Sequence, residues 1–342
     1  MGILDWIRGK RSAGDPKAEA GAAEALERII QLTNPRLRFA RRYRPRLLPA
    51  VQTAIEYARS LVADTAPERE ASTATWPSDI YLRAYFATAE DLARAFSRST
   101  DLRAWFDRNP AAQAVSVVLS MLMVERKVLG AALVKGELQR DVPQTTVSFT
   151  DYRARICGAS QTDLRHDIER RIVDQLALIG IGIATHDQSR REMLEQERAL
   201  LRARLRMLES QGAGLTALAG KEAVDASQYA RLHTELAINE QALKVLATGS
   251  EVLDFQLERM REVLASPHVH FSVAGKRLRL NRMNVVVDET DPQPADTLEL
   301  QVARVPLPDA PAELRTFSFV RFPRSDLLAR GALLDDAARM LG

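Results

Sequence analysis

Cysteine is nearly absent from this sequence, since Cys157 is the only one in 342 residues. A single cysteine excludes an intramolecular disulfide and is typical of a reducing compartment. Nothing near Cys157 marks it as a nucleophile, so we expect a small buried hydrophobe. Lysine is also scarce, because 41 of the 48 basic residues are arginine. We interpret this bias first as a sign of a G+C-rich bacterial genome, and second as a preference for arginine in ion pairs beside apolar surface.

Long apolar runs are missing as well. None reaches the roughly 18 residues that a transmembrane helix needs, and the longest, Ala114–Val124, is predicted to lie in a buried helix over 111–135. No secretory signal pattern is visible, so a cytoplasmic protein is expected. The net charge of +3 excludes a histone-like chain, and the hydrophobic content of 46% excludes an acidic disordered segment.

Motifs for catalysis and cofactor binding are absent. The sequence has no Walker-type phosphate loop, no nucleophile elbow, no His-Glu-x-x-His and no EF-hand loop. Gly180 and Gly182 lack the third glycine of a dinucleotide site, and His268 with His270 supplies only two metal ligands. We therefore predict no catalytic residue, no metal, no cofactor and no small-molecule ligand. An enzyme built from residues scattered along the chain is the alternative.

Two kinds of periodicity divide the chain. Helical spacing predicts helices near 18–32, 47–63, 80–94, 100–107, 111–135 and 326–341, with a further helix starting near 164. Alternating β-branched and aromatic residues predict strands near 145–157, 269–273, 278–287, 298–305 and 317–322, with a turn at 274–276. An isolated strand would leave its backbone groups unpaired, so the first strand is expected to pair with the later ones. The predicted fold is α+β, mainly α, with an N-terminal helical region and a small antiparallel sheet of about five strands.

The strongest pattern is a heptad repeat between Tyr229 and Leu264. Apolar residues alternate steps of three and four there, as in a coiled-coil seam, with Asn239 and Ser250 as polar exceptions. Upstream leucines repeat at intervals of seven, and the glycine-containing stretch 212–227 is predicted to be a loop. The pattern predicts a long coiled-coil hairpin over 188–266, inserted between the strands. Its seam residues are Leu194, Leu201, Leu208, Tyr229, Leu232, Leu236, Asn239, Leu243, Leu246, Leu253, Leu257, Met260 and Leu264.

These patterns predict three regions in the chain. Residues 1–15 are an amphipathic segment with a linker, 16–143 a helical domain, and 144–342 an α+β domain that contains the hairpin. The first segment has an apolar face followed by cations and can lie in a membrane interface, or it can dock on the protein itself. The residues expected to contact a membrane are Ile3, Leu4, Trp6, Ile7, Arg8, Lys10 and Arg11.

A basic cluster follows, because no acidic residue occurs between Glu27 and Glu56. Residues 1–60 hold 12 basic and 6 acidic residues, so this part carries +6 and the remainder −3. Arginines with aromatics among them bind phosphate backbones or anionic headgroups; alternatively, these arginines pair with carboxylates elsewhere in the fold. The predicted anion-binding residues are Arg36, Arg38, Arg41, Arg42, Arg44 and Arg46, with Phe39 and Tyr43 among them.

The sequence therefore predicts a non-catalytic scaffold or adaptor protein. Its coiled coil would bind a protein partner or a second copy, either as an intramolecular hairpin or as a dimer seam. A peripheral contact with the inner membrane extends this interpretation. The main alternative is a nucleic-acid-associated protein that binds through Arg36–Arg46.

Overall fold

The computed structural model of the chain describes residues 16–134, 137–213, 226–246, 252–289, 291, 293–307 and 310–330. These residues form two compact units. The helical unit takes its described residues from Met1–Ala54 and Asp174–Ser266. The sheet unit takes its described residues from Ile55–Val173 and Pro267–Gly342.

Along the chain, helices and strands occur both before and after one long helix. The helices are α1 (Pro16–Thr33), α2 (Tyr43–Ala63), α3 (Ile80–Tyr85), α4 (Ala89–Ser97), α5 (Thr100–Arg108), α6 (Gln161–Ala213), α7 (Ala226–Leu246), α8 (Val252–Ala265) and α9 (Pro267–His270), with 3-10 turns at Pro35–Phe39 and Arg324–Asp326. The strands are β1 (Arg69–Glu70), β2 (Ala114–Val134), β3 (Glu137–Gly158), β4 (Ser272–Leu280), β5 (Asp296–Leu307) and β6 (Ala310–Pro323). Because α6 separates β3 from the later strands of the same sheet, the predicted α+β, mainly α fold is confirmed.

The sheet of the sheet unit has the order β3-β2-β6-β5-β4. These neighbours pair antiparallel, and β1 adds a short parallel pairing to β6. Two isolated bridges, Thr146 to Val285 and Leu280 to Val286, link residues 285–286 to both β3 and β4. Since β3 and β4 end the strand order, these bridges tie the two edges of a curled sheet together.

The helix predicted over 111–135 is wrong, because Ala114–Val134 form the strand β2. Val115, Val117, Leu119 and Met121 are buried at every second position, which is the period of a strand. β2 pairs with β3 on one side and, over Ala114–Met121, with β6 on the other, and residues 114–124 are buried or half-buried on both faces. A continuous apolar run is expected for such a strand and cannot be told from a buried helix by periodicity alone.

The core of the sheet unit lies between the sheet and α3 to α5. Phe96 stacks on Phe322 with ring centroids 4.7 Å apart, and Phe86 stacks on Tyr152 at 4.8 Å. The helix predicted over 80–94 is in fact two helices, because Phe86 is extended and Thr88 caps α4 by accepting from the backbone amide of Asp91. This break lets α3 and α4 cover different parts of the aromatic core.

Three further predictions differ from the structure. Residues 267–270 form α9 instead of a strand, so His268 and His270 lie on a helical turn that Pro267 starts. The predicted turn at 274–276 lies inside β4, where Gly275 pairs with Gln301. The predicted domain boundary between 143 and 144 lies inside β3, because the alternating segment of the sequence is only part of a longer strand. The predicted C-terminal helix over 326–341 lies mostly outside the described residues.

α6 and α8 of the helical unit approach each other closely at Gly180. A Cβ atom at Gly180 would lie 2.7 Å from the Cα of Met260 and 3.4 Å from the carbonyl oxygen of Arg259. The sequence indicated that Gly180 and Gly182 weaken or bend this helix, but α6 runs through both of them. Gly180 is therefore a contact point for α8, whereas a Cβ at Gly182 would meet nothing within 4 Å.

Candidate interaction surfaces

Burial in the long helices follows the predicted heptad positions. The buried seam residues are Leu201, Asn239, Leu243, Leu257, Met260 and Leu264, and the half-buried ones are Leu194, Leu208, Leu232, Leu236, Leu246 and Leu253. Tyr229 is exposed at the end of the pattern, and Ser250 lies outside the described residues. In the described part of α6, α7 and α8, the predicted positions are thus mostly buried or half-buried, as on the inner face of an amphipathic helix.

Contacts between α6 and α7 show that the two helices are antiparallel. Near the end of α6, Glu209 accepts a hydrogen bond from the hydroxyl of Tyr229 at 3.4 Å. About two turns earlier in α6, Arg202 forms an ion pair with Glu240 at 2.8 Å. Positions thus rise along α6 as they fall along α7, and the ion pair joins the arms on the side that follows the seam residues.

Asn239 is the polar residue within this stripe and is only 3% exposed. Its amide nitrogen donates to the carbonyl oxygen of Leu194 at 3.0 Å and to the carboxylate of Glu197 at 2.8 Å. Its Oδ1 atom is buried and has no hydrogen-bond partner among the described residues. A buried acceptor of this kind costs stability, and a polar residue at one seam position fixes the register of a helix pair.

Two rows of exposed apolar side chains lie beside the seam. The α6 row is Met193, Leu200 and Met207, and the α7–α8 row is Ile238, Val245 and Val252; these side chains are 51% to 70% exposed. Each row repeats at intervals of seven, and each member directly precedes a seam position in the chain. The sequence shows the α6 row as apolar residues beside the leucines, but exposure could not be read from it.

The two rows lie on the same side of the helix pair. A step of one residue turns about 100° around a helix. Because the helices are antiparallel, residues that precede the seam point to one side on both of them, opposite to the side of the Arg202–Glu240 ion pair. The outer flanks of the rows are uncharged, with Ser189, Gln196 and Gln241, whereas the positions between the rows and the seam are charged, with Arg190, Glu197, Arg204 and Glu235. We call these rows and flanks the apolar face.

The basic cluster divides into paired and unpaired arginines. Arg38 and Arg44 both bind Glu27, at 3.2 and 2.7 Å. Arg46 binds Asp254 at 2.5 Å and Glu258 at 3.2 Å. The hydrogen bond from Arg44 lowers the pKa of Glu27, so this carboxylate is charged at neutral pH. Three of the six predicted anion-binding arginines are therefore engaged within the helical unit.

Arg36, Arg41 and Arg42 are exposed and have no carboxylate partner in the described part of the chain. Phe39 lies among them and is 83% exposed. Arg41, Arg42 and Arg46 also line a depression together with Pro45 and Asp254. The predicted cluster is thus reduced to three available cations around one exposed ring, which we call the Phe39 surface.

No cluster of three or more His, Cys, Asp or Glu side chains that could hold a metal occurs among the described residues. Burial raises the pKa of Cys157 to about 12, so its thiol is protonated and inert at neutral pH. Burial also lowers the pKa of His270, and nearby His268 acts in the same direction.

The predicted membrane-contact residues of the first segment, Ile3 to Arg11, lie outside the described residues. Within the described ranges, no helix is both long and apolar enough to cross a membrane. Comparison of the chain with protein-family models, with curated proteins and with solved structures finds no match in any of the three.

Proposed function

We propose that this protein is a non-catalytic scaffold or adaptor whose helices α6, α7 and α8 form a coiled-coil hairpin that docks on a second copy. The observation that carries the proposal is the apolar face. Exposed hydrophobic residues are common singly, but rows at heptad spacing on both arms and on the same side are the pattern of a second helix-packing seam.

The size of the apolar face fits a small interface. Side chains of this kind, each more than half exposed, offer roughly 500 Å² together, which is near the largest patch found on ordinary monomers. Two copies would bury about 1,000 Å², at the small end of specific interfaces. The charged residues between the rows and the seam would have to pair across such an interface, because charged residues are depleted at the centre of protein interfaces.

A second copy is favoured because the two rows have the same spacing. A two-fold axis can then place the apolar face of one hairpin on the same face of another, as in a four-helix bundle. Another protein with an amphipathic helix is the alternative partner. The proposal extends to the bacterial cytoplasm and to a peripheral contact with the inner membrane, which the single cysteine and the amphipathic first segment support.

Light scattering after size-exclusion chromatography tests this proposal. We expect a concentration-dependent dimer that the double variant Leu200→Glu/Val245→Glu converts to a monomer. The control is Ala230→Glu/Ala237→Glu, which adds the same two charges on the charged side of α7. A wild type that stays monomeric at all concentrations refutes self-association, and dissociation of both double variants refutes the assignment to the apolar face.

A further inference from the structure

The Phe39 surface is built on a rigid turn between α1 and α2. Asn34 caps the 3-10 turn by accepting from the backbone amide of Arg36 at 3.0 Å. Leu37 and Ala40 are buried three residues apart and anchor the inner side of the turn. A 3-10 helix has three residues per turn, so Arg36 and Phe39 share another side of it, and both are exposed.

The chain then makes a turn at Arg41 and Arg42 and enters α2. Arg42 has a φ of 55°, which is the left-handed region and is uncommon for a residue with a side chain. Arg41 and Arg42 are both exposed at this turn, next to the first turn of α2, which contains no acidic residue. The fold thus uses a strained backbone position to hold these two guanidinium groups at the start of the helix.

The charges of this surface are not cancelled by neighbouring carboxylates. Glu27 is taken by Arg38 and Arg44, and the pair Asp254 and Glu258 is taken by Arg46. No acidic residue occurs in residues 28–55 of the chain. Arg36, Arg41 and Arg42 therefore present three positive charges around the exposed ring of Phe39.

We infer that the Phe39 surface binds the anionic phospholipid surface of a membrane. The three guanidinium groups would donate hydrogen bonds to headgroup phosphates, and Phe39 would enter the interface between headgroups and acyl chains. The exposed ring suits the apolar layer of such an interface, and the neighbouring cations suit its anionic headgroups. The inference rests on the proposed membrane contact. It adds to that proposal the class of lipid and a second contact besides the first eleven residues.

Nucleic acid is the other polyanion that arginines could bind, but the surface suits it less well. Single strands bind along grooves where several aromatic rings stack on successive bases. The second aromatic of the cluster, Tyr43, is tied through its hydroxyl to Glu27 at 3.1 Å, so Phe39 is the only ring of the two that is freely presented. Three charges are also few for a duplex, because such binding commonly uses about 6 to 10 phosphate contacts.

Co-flotation of the full chain with vesicles tests the inference. The vesicles are phosphatidylcholine with and without phosphatidylglycerol, and we expect binding only when the anionic lipid is present. The triple variant Arg36→Gln/Arg41→Gln/Arg42→Gln should lower the partition coefficient by roughly a hundredfold, at about fivefold per arginine. Phe39→Ser should lower it by about tenfold or more through lost apolar burial.

The control variant is Arg98→Gln/Arg126→Gln/Arg155→Gln, which removes the same charge from exposed arginines of the sheet unit. Its partition coefficient should stay within about twofold of that of wild type if the charge of the Phe39 surface, and not the net charge of the protein, determines vesicle binding. Equal loss in both triple variants overturns the inference, as does retention of DNA or RNA that depends on the three arginines when vesicle binding does not. Deleting residues 1–11 separates the two membrane contacts. If only this deletion abolishes flotation, the Phe39 surface is refuted and the proposed tether stands; if only the Phe39-surface variants do, the reverse holds.

Discussion

Replacing Gly180 with alanine tests how closely α6 packs against α8. The new Cβ would lie 2.7 Å from the Cα of Met260 and 3.3 Å from its backbone nitrogen. Carbon atoms in good contact are about 3.5–4.0 Å apart, so the two helices must separate by about 1 Å. The contacting atoms of Met260 belong to its backbone, so no side-chain rotation can relieve the clash. The side chain of Met260 is fully buried. The helical unit therefore has to adjust as a whole.

The magnitude follows from two opposing effects. Overpacking of a tight contact costs about 1–3 kcal/mol, and alanine in place of glycine inside a helix gains about 1 kcal/mol. Gly180→Ala should thus destabilise the protein by up to about 2 kcal/mol. Gly182→Ala has the same helix gain without the contact, because nothing lies within 4 Å of its Cβ. This variant should be stabilised by about 0.5–1 kcal/mol.

Urea denaturation followed by the helical circular dichroism signal measures both variants under the same conditions. The difference between them isolates the packing cost, since the gain in helix propensity is shared. We expect the midpoint of Gly180→Ala to fall below that of wild type and the midpoint of Gly182→Ala to rise above it. Equal stabilisation of both variants would show that α6 and α8 do not approach at Gly180.

Three further predictions concern the seam, a buried ion pair and the cysteine. Asn239→Leu should raise the melting temperature and broaden the oligomer distribution seen by light scattering, because it removes a buried unpaired acceptor and the register signal; unchanged mass and melting would count against a seam role. Asp151→Asn should destabilise the sheet unit by about 1–2 kcal/mol in urea melts at pH 7, because buried Arg315 donates to this carboxylate at 2.8 Å. Burial acts to raise the pKa of Asp151, but the hydrogen bonds from Arg315 and Arg153 prevail and lower it below 3.8. Its contribution is therefore complete above that pH and lost as the pH falls through the folded-state pKa, so wild type and variant should converge in acid. Cys157 should react with a disulfide reagent at pH 8 at least about a hundredfold more slowly in the folded protein than in urea, since burial keeps its thiol protonated; equal rates would place the thiol at the surface.

Local periodicity allowed the long helices to be predicted, whereas the strands depend on pairing between residues that are far apart in the sequence. The heptad positions of α7 are set by residues a few steps apart, so burial at Leu243 follows from the repeat, whereas exposure at Val245 is known only from the structure. The identity of β2 depends on partners up to about two hundred residues away in β6, and its apolar run alone resembles a helix. Gly180 looks like a helix breaker in the sequence because its partner, Met260, is distant in the chain.

The same distinction applies to the basic cluster. The sequence shows six arginines in eleven positions and no acid among them, but not which of them are neutralised. Glu27 precedes the cluster, and Asp254 follows it by more than two hundred residues, so only the fold shows that they neutralise Arg38, Arg44 and Arg46. Exposure of Phe39 is equally a property of the turn that buries Leu37 and Ala40.

The apolar face and Asn239 are connected by the energetics of the helix pair. A seam with a buried unpaired acceptor gives up stability that an all-leucine seam would have, and the rows beside it leave further apolar surface in water. Both costs fall on the same helices, since Asn239 contacts Leu194 and the exposed rows run along α6 and α7 beside it. Docking of a second hairpin on this stretch would remove the exposed rows from water, while Asn239 limits the registers in which the helices can pair. If the proposed function is right, Asn239 and the exposed rows act together. Both make the single hairpin less stable, and both favour its association with a second hairpin in one defined register.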